Sequence, residues 1–278
     1  NSNAQCLMTN PSLIFNRSLV RKHRNRAAST FAAHDFLFQE VAIRLSERLD
    51  DFNKSFAAAL NLGAHNGVMK EILKAHGAKQ LIFTDISKSM LLDPGFRRDD
   101  MRLVCDEEYL PFADNSFDLV ISGGSLHWVN DLPGTLIQIR KCLKPGGLFL
   151  AILPGGETLK ELRQSLEQAE MRLSGGVSPR VSPFVDVRDA AGLLQRAGFH
   201  MPVADNELLT VEYEHPMKLM HDLRGMGEAS AIIEGRKTFS SRSLLMAACE
   251  YYLHHFKLDS GRVAASFELV TLTGIKPS

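Results

Sequence analysis

Ser55-Phe56-Ala57-Ala58-Ala59-Leu60-Asn61-Leu62-Gly63-Ala64-His65-Asn66-Gly67 is an apolar run that closes on two glycines four positions apart. The apolar positions Val68, Ile72 and Leu73 follow at helical spacing between Gly67 and His76. The stretch therefore predicts a strand, a tight glycine turn and a helix. The same figure recurs downstream: Gln80 to Thr84 ends at Asp85, Arg102 to Cys105 at Asp106, and Phe117 to Ser122 at Gly123 and Gly124. Leu132 to Cys142 reads as a helix, after which Lys144-Pro145-Gly146-Gly147 turns the chain into a fifth strand, Leu148 to Leu153. The proline stops the helix and the glycines permit the reversal. Strands alternating with helices predict an α/β fold, a doubly wound and mostly parallel sheet with helices on both faces.

Beyond Pro154 the pattern becomes more helical: Thr158 to Leu173 first, then a Gly-, Ser- and Pro-rich loop, Ser174 to Pro183, then a helix over Asp186 to Ala197 ended by Gly198. Glu207 to Tyr213 and Ser266 to Ile275 read as strands, with Pro216 to Leu258 mostly helical between them. No repeat or hinge-like linker interrupts the chain, so residues 55–278 are expected to form one domain with helical insertions at about 154–183 and 215–258.

Upstream, residues 1–54 are treated as a separate helical segment. Asn1 to Ala4 contain a Ser-Asn-Ala string of the kind left by tag removal, and residues 1–7 are set aside on that ground. No acidic residue precedes Asp35, while Arg17, Arg21, Lys22, Arg24 and Arg26 crowd together. Three readings stand open: a targeting presequence, a nucleic-acid-binding arm, or a helix docked on the domain. Phe36, Leu37, Val41, Leu45 and Leu49 then recur at helical spacing, with Asp35 as the expected cap.

Composition excludes several classes. The 278 residues are 45% hydrophobic and 23% charged, with 32 basic against 32 acidic side chains, so a collagenous, disordered or strongly nucleic-acid-binding chain is not indicated. The 4 cysteines, Cys6, Cys105, Cys142 and Cys249, are too scattered for a metal-ligand spacing or a disulfide framework, and reduced thiols are expected. No apolar run reaches the roughly 20 residues that span a bilayer.

In a parallel sheet, ligands gather at the carboxyl ends of the strands, which singles out Gly63, Asp85, Asp106 and Ser122. A glycine turn lets the backbone approach a ligand, and an acidic residue about 20 positions later can hold ribose hydroxyls, as Asp85 stands to Gly63 and Gly67. An ordinary strand-to-helix turn, with the acids as caps, explains the same residues. His127 and Trp128 suit a substrate wall or core packing. Arg180 and Arg224 suit a clamp on a carboxylate or phosphate, or simple solvation. No metal site, nucleophile elbow or phosphate loop is recognised.

Element order and strand-end residues resemble class I S-adenosylmethionine-dependent methyltransferases over roughly Ser55 to Leu153, which implies a seven-stranded sheet and that cofactor. By this resemblance Asp85 holds the ribose and Asp106 the adenine amino group, Glu107 lies along the adenine edge, and Ser122 and Gly123 hold the methionine end. The turn itself is Asn61, Gly63, Ala64, His65 and Gly67, with Ile86 following the ribose acid. Asn61 and His65 depart from the family's acidic and glycine positions.

A resemblance across nearly the whole chain is to the assembly factor 5 family of respiratory complex I. Its strings are Asp106-Glu107-Glu108-Tyr109-Leu110-Pro111-Phe112, Ser125-Leu126-His127-Trp128-Val129-Asn130-Asp131-Leu132-Pro133, Gly155-Gly156-Glu157-Thr158-Leu159, Ser178-Pro179-Arg180-Val181-Ser182-Pro183-Phe184 and Asp222-Leu223-Arg224-Gly225-Met226-Gly227-Glu228. It implies a protein substrate, the quinone-site subunit of complex I, with methylation or arginine hydroxylation as the reaction. It also implies a lid helix at Ile14 to Ala27, and a bacterial cytoplasm or the mitochondrial matrix side as the compartment. A narrower resemblance is to malonyl-carrier-protein O-methyltransferases of biotin synthesis. A non-catalytic assembly chaperone is the third expectation.

Overall fold

The computed structural model describes residues 13–234 and 241–278. The reading of residues 1–7, and the part of the Pro216 to Leu258 helical stretch over 235–240, lie outside the described residues.

Seven strands form one sheet: β1 (Ala58–Leu62), β2 (Gln80–Asp85), β3 (Met101–Val104), β4 (Phe117–Gly123), β5 (Leu143–Pro154), β6 (His200–Tyr213) and β7 (Val263–Ile275), in the order β3-β2-β1-β4-β5-β7-β6. β1 lies between β2 and β4, both parallel to it, so the strand order reverses there. β7 runs antiparallel to both β5 and β6. β5 begins at Leu143, so Lys144-Pro145-Gly146-Gly147, expected as a turn ahead of the strand, lies within it, and β6 begins much earlier than its apolar run suggested, because each is carried on by pairing with its neighbours.

Among the described residues, eight α-helices complete the fold: α1 (Arg17–Ala27), α2 (Phe36–Asp50), α3 (Lys70–Ala75), α4 (Leu132–Cys142), α5 (Lys160–Ser174), α6 (Val187–Arg196), α7 (Pro216–Gly225) and α8 (Arg242–His255). One core packs α4 and α6 on the sheet around Leu60, Leu62, Val120 and Phe149. A second packs α2 and α3 on the other face around Leu45, Leu49, Ile121 and Leu150. The alternation along β1 and β4 thus feeds two layers, as a doubly wound sheet requires. A third core joins α5, α7 and α8 to β7 through Leu162, Leu219, Tyr252 and Phe267. Each leucine so buried contributes about 1.5–3 kcal/mol.

Local chemistry sets the helix starts. Asp131 accepts the Gly134 N–H and caps α4, whose proline sits in the first turn. Asn16 likewise caps α1, accepting the Leu19 N–H. Asp35 occupies the N-cap position of α2, but its side chain makes no cap bond and accepts instead from Gln39 and Asn66. Asn130 binds the N–H groups of Ile14 and Phe15, tying the approach to α1 onto the loop after β4.

Candidate functional site

The ends of β1, β2, β3 and β4 meet under α1. Gly63 and Gly67 turn the chain with φ of +65° and +80°. A β carbon on Gly63 would lie 2.1 Å from Ser125 Cβ, so this turn accepts only glycine. His65 also has a left-handed backbone, φ +48°, which costs strain in a non-glycine residue. Two bonds hold that shape: the His65 N–H donates to Asp85 Oδ2 at 3.2 Å, and the Ala64 N–H to the Thr84 carbonyl at 2.8 Å. The imidazole is buried against the rings of Phe31 and Phe38, at centroid distances of 5.5 and 4.3 Å. Burial, reinforced by the Arg24 charge, pushes its pKa down to about 3. The ring is therefore neutral.

Asp85, at the end of β2, is fully buried. Its Oδ1 accepts the Ser87 N–H at 2.7 Å, and its Oδ2 lies 3.3 Å from Arg24 Nη1. The same Arg24 nitrogen is 3.7 Å from Glu107 Oε1. Arg17 donates to Asp106 Oδ1 at 2.6 Å, to Glu107 Oε2, and to the Trp128 carbonyl at 3.1 Å. Burial opposes the charge on Arg24, but Asp85, Glu107 and Glu228 outweigh it and raise its pKa. The predicted basic segment is thus a helix docked on the domain, burying Val20, His23, Arg24 and Ala27 at one-face spacing.

Ser122 and Ser125 share a hydroxyl contact of 3.2 Å, and Gly123 lies against Val41 of α2. Ile86 packs with Phe15, Val20 and Trp128 beneath α1. Asn61 is buried at the end of β1.

The donor set suits a nucleoside. Carboxylates stand at the ends of β2 and just past β3, and several buried polar atoms have no hydrogen-bond partner: Asn61 Nδ2, His65 Nε2, Glu107 Oε1, and Nε and Nη2 of Arg24. A polar guest would satisfy these groups, whose burial is otherwise costly. The residues fit the group, while the space is taken by the α1 arginines: a void of only about 10 Å³ remains beside Asn61, Gly63, His65 and Gly123.

Next to it lies a cavity of about 940 Å³, which shares Phe38 and Val41 with that void. His127, Trp128, Arg180 and Arg224 all line it. Arg180 is not a free clamp, since it pairs with Glu170 at 3.0 Å. Arg224 is exposed. His127 Nε2 and Trp128 Nε1 both reach Glu228 Oε2, at 2.9 and 2.7 Å. Burial works to raise the Glu228 pKa, but His127 and then Arg24 more than offset it, and the carboxyl sits at about 2.

Sequence reasoning did not find Arg17, Arg24 or Glu228 as site residues. The arginines were visible only as a basic cluster, and Glu228 only as the last letter of a family string. A grouping of His34, His221 and Asp222 was also missed as a possible cation site, where none was expected. Its Asp222 Oδ1 already takes His34 Nδ1 at 2.9 Å and Lys218 Nζ at 3.0 Å, an arrangement that disfavours a cation. None of the three residues lines the large cavity.

A family model for a methyltransferase domain matches residues 60–151. The mitochondrial arginine-hydroxylase NDUFAF5 of Danio rerio is 39% identical over 95% of this chain and 83% of its own. A malonyl-[acyl-carrier protein] O-methyltransferase of a Methylovorus species is 33% identical over 97% of this chain and 92% of its own. Among solved structures, Haemonchus contortus phosphoethanolamine N-methyltransferase 2 in complex with S-adenosyl-L-methionine superposes with a TM-score of 0.59 at 17% identity, over 93% of this chain and 60% of that one. At that identity the likeness concerns the fold.

Proposed function

Because the chain belongs to the arginine-hydroxylase NDUFAF5 family within the class I S-adenosylmethionine-dependent methyltransferase superfamily, we propose that it modifies a side chain of a protein subunit during complex I assembly. The cofactor of this fold family is S-adenosylmethionine, which when bound supplies an electrophilic methyl group on a good leaving group. The observation that carries the reading is the adjacency of the strand-end cleft to the 940 Å³ cavity, so that two molecules can meet across Phe38 and Val41.

In this reading Asp85 accepts the ribose hydroxyls, Asp106 the adenine amino group, and the Ser122–Gly123 corner borders the methionine end. Arg17 and Arg24 yield their carboxylates when the nucleoside arrives. Trp128, Phe38 and Phe184 line the cavity and keep water from the acceptor. An amine or guanidinium acceptor must lose a proton near the transfer step. His127 Nδ1 is buried and unpartnered, and Glu228 fixes the ring from its other nitrogen, so His127 is the base that receives this proton. The work takes place in the cytoplasm of a bacterium or on the matrix side of a mitochondrion; no described helix is long and apolar enough to cross a membrane.

Mass spectrometry of the quinone-site subunit, isolated with and without this protein, tests the proposal. A gain of one methyl or one oxygen on an arginine supports it. An unchanged subunit that still depends on the protein for its assembly replaces it with a chaperone role.

A second reading, methyl-ester formation on malonyl carrier protein, draws on the Methylovorus relative and on Arg224, which lines the cavity without a carboxylate partner among the described residues. Methylation of malonyl carrier protein by the purified chain, read by mass, is its test.

A further inference from the structure

Two carboxylates line the large cavity, and they differ in how fully they are used. Glu268 is spent on the fold, with Oε2 accepting the Glu157 N–H at 2.8 Å and Oε1 the Asn206 side chain. Glu228 is not. Its Oε2 takes both His127 and Trp128, whereas Oε1 is buried without a hydrogen-bond partner, the charge of the group being met by His127 and Arg24. The side chain is only 12% exposed, and two ring donors fix its rotamer. A pre-oriented carboxylate with an idle oxygen is a binding group in waiting, because its partner need not order it first.

What surrounds it narrows the partner. The cavity is otherwise largely apolar, with Leu159, Leu162, Leu223 and Leu269 among its walls. The rings of Phe38, Trp128, Phe184 and Phe267 also line it, beside the His127 imidazole. A flat cation stacks on such faces while hydrogen-bonding a carboxylate in its plane. Arg180, spent on Glu170, and Arg224 also line the cavity, but an acceptor carboxylate placed at Glu228 itself would meet a like charge.

We infer that Glu228 is the specificity anchor of the acceptor site: its free Oε1 receives a guanidinium that enters through the 940 Å³ cavity, and selects it over neutral or anionic side chains. This rests on the reading of that cavity as the acceptor site and adds the residue that does the choosing.

Calorimetry on the full chain tests it with two probes of nearly equal shape, Nα-acetyl-arginine amide and the uncharged Nα-acetyl-citrulline amide. The expected result is at least tenfold tighter binding of the arginine probe by the unaltered protein, shrinking to within twofold in Glu228→Gln. Trp128 is the sole tryptophan and donates to Glu228, so its fluorescence is a second readout that needs no variant. The arginine probe shifts that emission and the citrulline probe does not. Equal binding of both probes, binding of neither, or an arginine preference that survives Glu228→Gln overturns the inference. Titration of the same protein with S-adenosylmethionine separates the two claims: a chain that ignores the cofactor but prefers arginine loses the methyl-donor reading and keeps Glu228.

Discussion

Arg24 Nη1 stands 3.3 Å from Asp85 Oδ2, with both side chains withdrawn from solvent. The carboxylate proposed to accept the ribose hydroxyls is here held by the chain's own guanidinium. Removing one member of such a pair strands the other charge, which costs about 3–5 kcal/mol. Arg24→Met is therefore expected to lower the urea unfolding free energy by that amount, and Asp85→Asn added to it to restore part of the loss. Single and double variants with additive effects would show that the two groups do not interact.

Arg17 makes the more exposed contacts, to Asp106 and Glu107, on the side expected to meet adenine. Its release frees two acceptors, and Arg24 Nη1, 3.7 Å from Glu107 Oε1, remains to offset that buried carboxylate. Arg17→Gln should raise the affinity for S-adenosylmethionine about tenfold, in line with the roughly 1.5–3 kcal/mol of a hydrogen bond to a charged group. Isothermal titration measures this, and a weaker affinity would mean that Arg17 helps to hold the cofactor.

His65 sets an acid limit. Its folded pKa of about 3 lies below the ordinary 6.5, so between these values the unfolded chain binds a proton that the folded chain refuses. Stability contributed by this group is thus complete above about pH 6.5 and falls as pH drops toward 3, by about 1.4 kcal/mol per pH unit. His65→Gly keeps the left-handed backbone and removes the titration. Its stability curve should be flatter than that of the unaltered protein between pH 4.5 and 6.5 by chemical denaturation, and parallel curves would contradict the assigned burial.

Gly63→Ala combines a β-carbon clash with an unfavourable φ. A loss of about 2 kcal/mol or more is expected. Ser125→Gly in the same chain relieves the clash but not the φ, so thermal melts of the pair should recover only part of the loss.

The strand-end residues were legible because each depends on a local pattern, an apolar run stopped by Gly63, Asp85, Asp106 or Ser122. Helix α4 was legible for the same reason, with Asp131 before it and Lys144-Pro145 after it. Other features depend on partners far along the chain. Arg24 is 61 positions from Asp85, and Arg17 is 89 from Asp106, so no window of sequence contains either pair. Glu228 is 101 positions from His127. β6 begins at His200, ahead of its expected start at Glu207, because β7 supplies the hydrogen bonds that its own polar residues do not advertise. Asp35 looked like a cap by position, but its oxygen is engaged by Asn66, a residue of the glycine turn.

Arg17 and Arg24 are seven residues apart on α1, just under two helical turns and about 10.5 Å of rise. One residue inserted between them would swing the second guanidinium through about 100° and carry it off its carboxylates. The helix is in this respect a ruler. Lineages of this chain can exchange the solvent-facing letters Arg21, Lys22 and Arg26 freely, but a codon gained or lost inside the span would unseat one end, so indels should be purged there more strictly than substitutions.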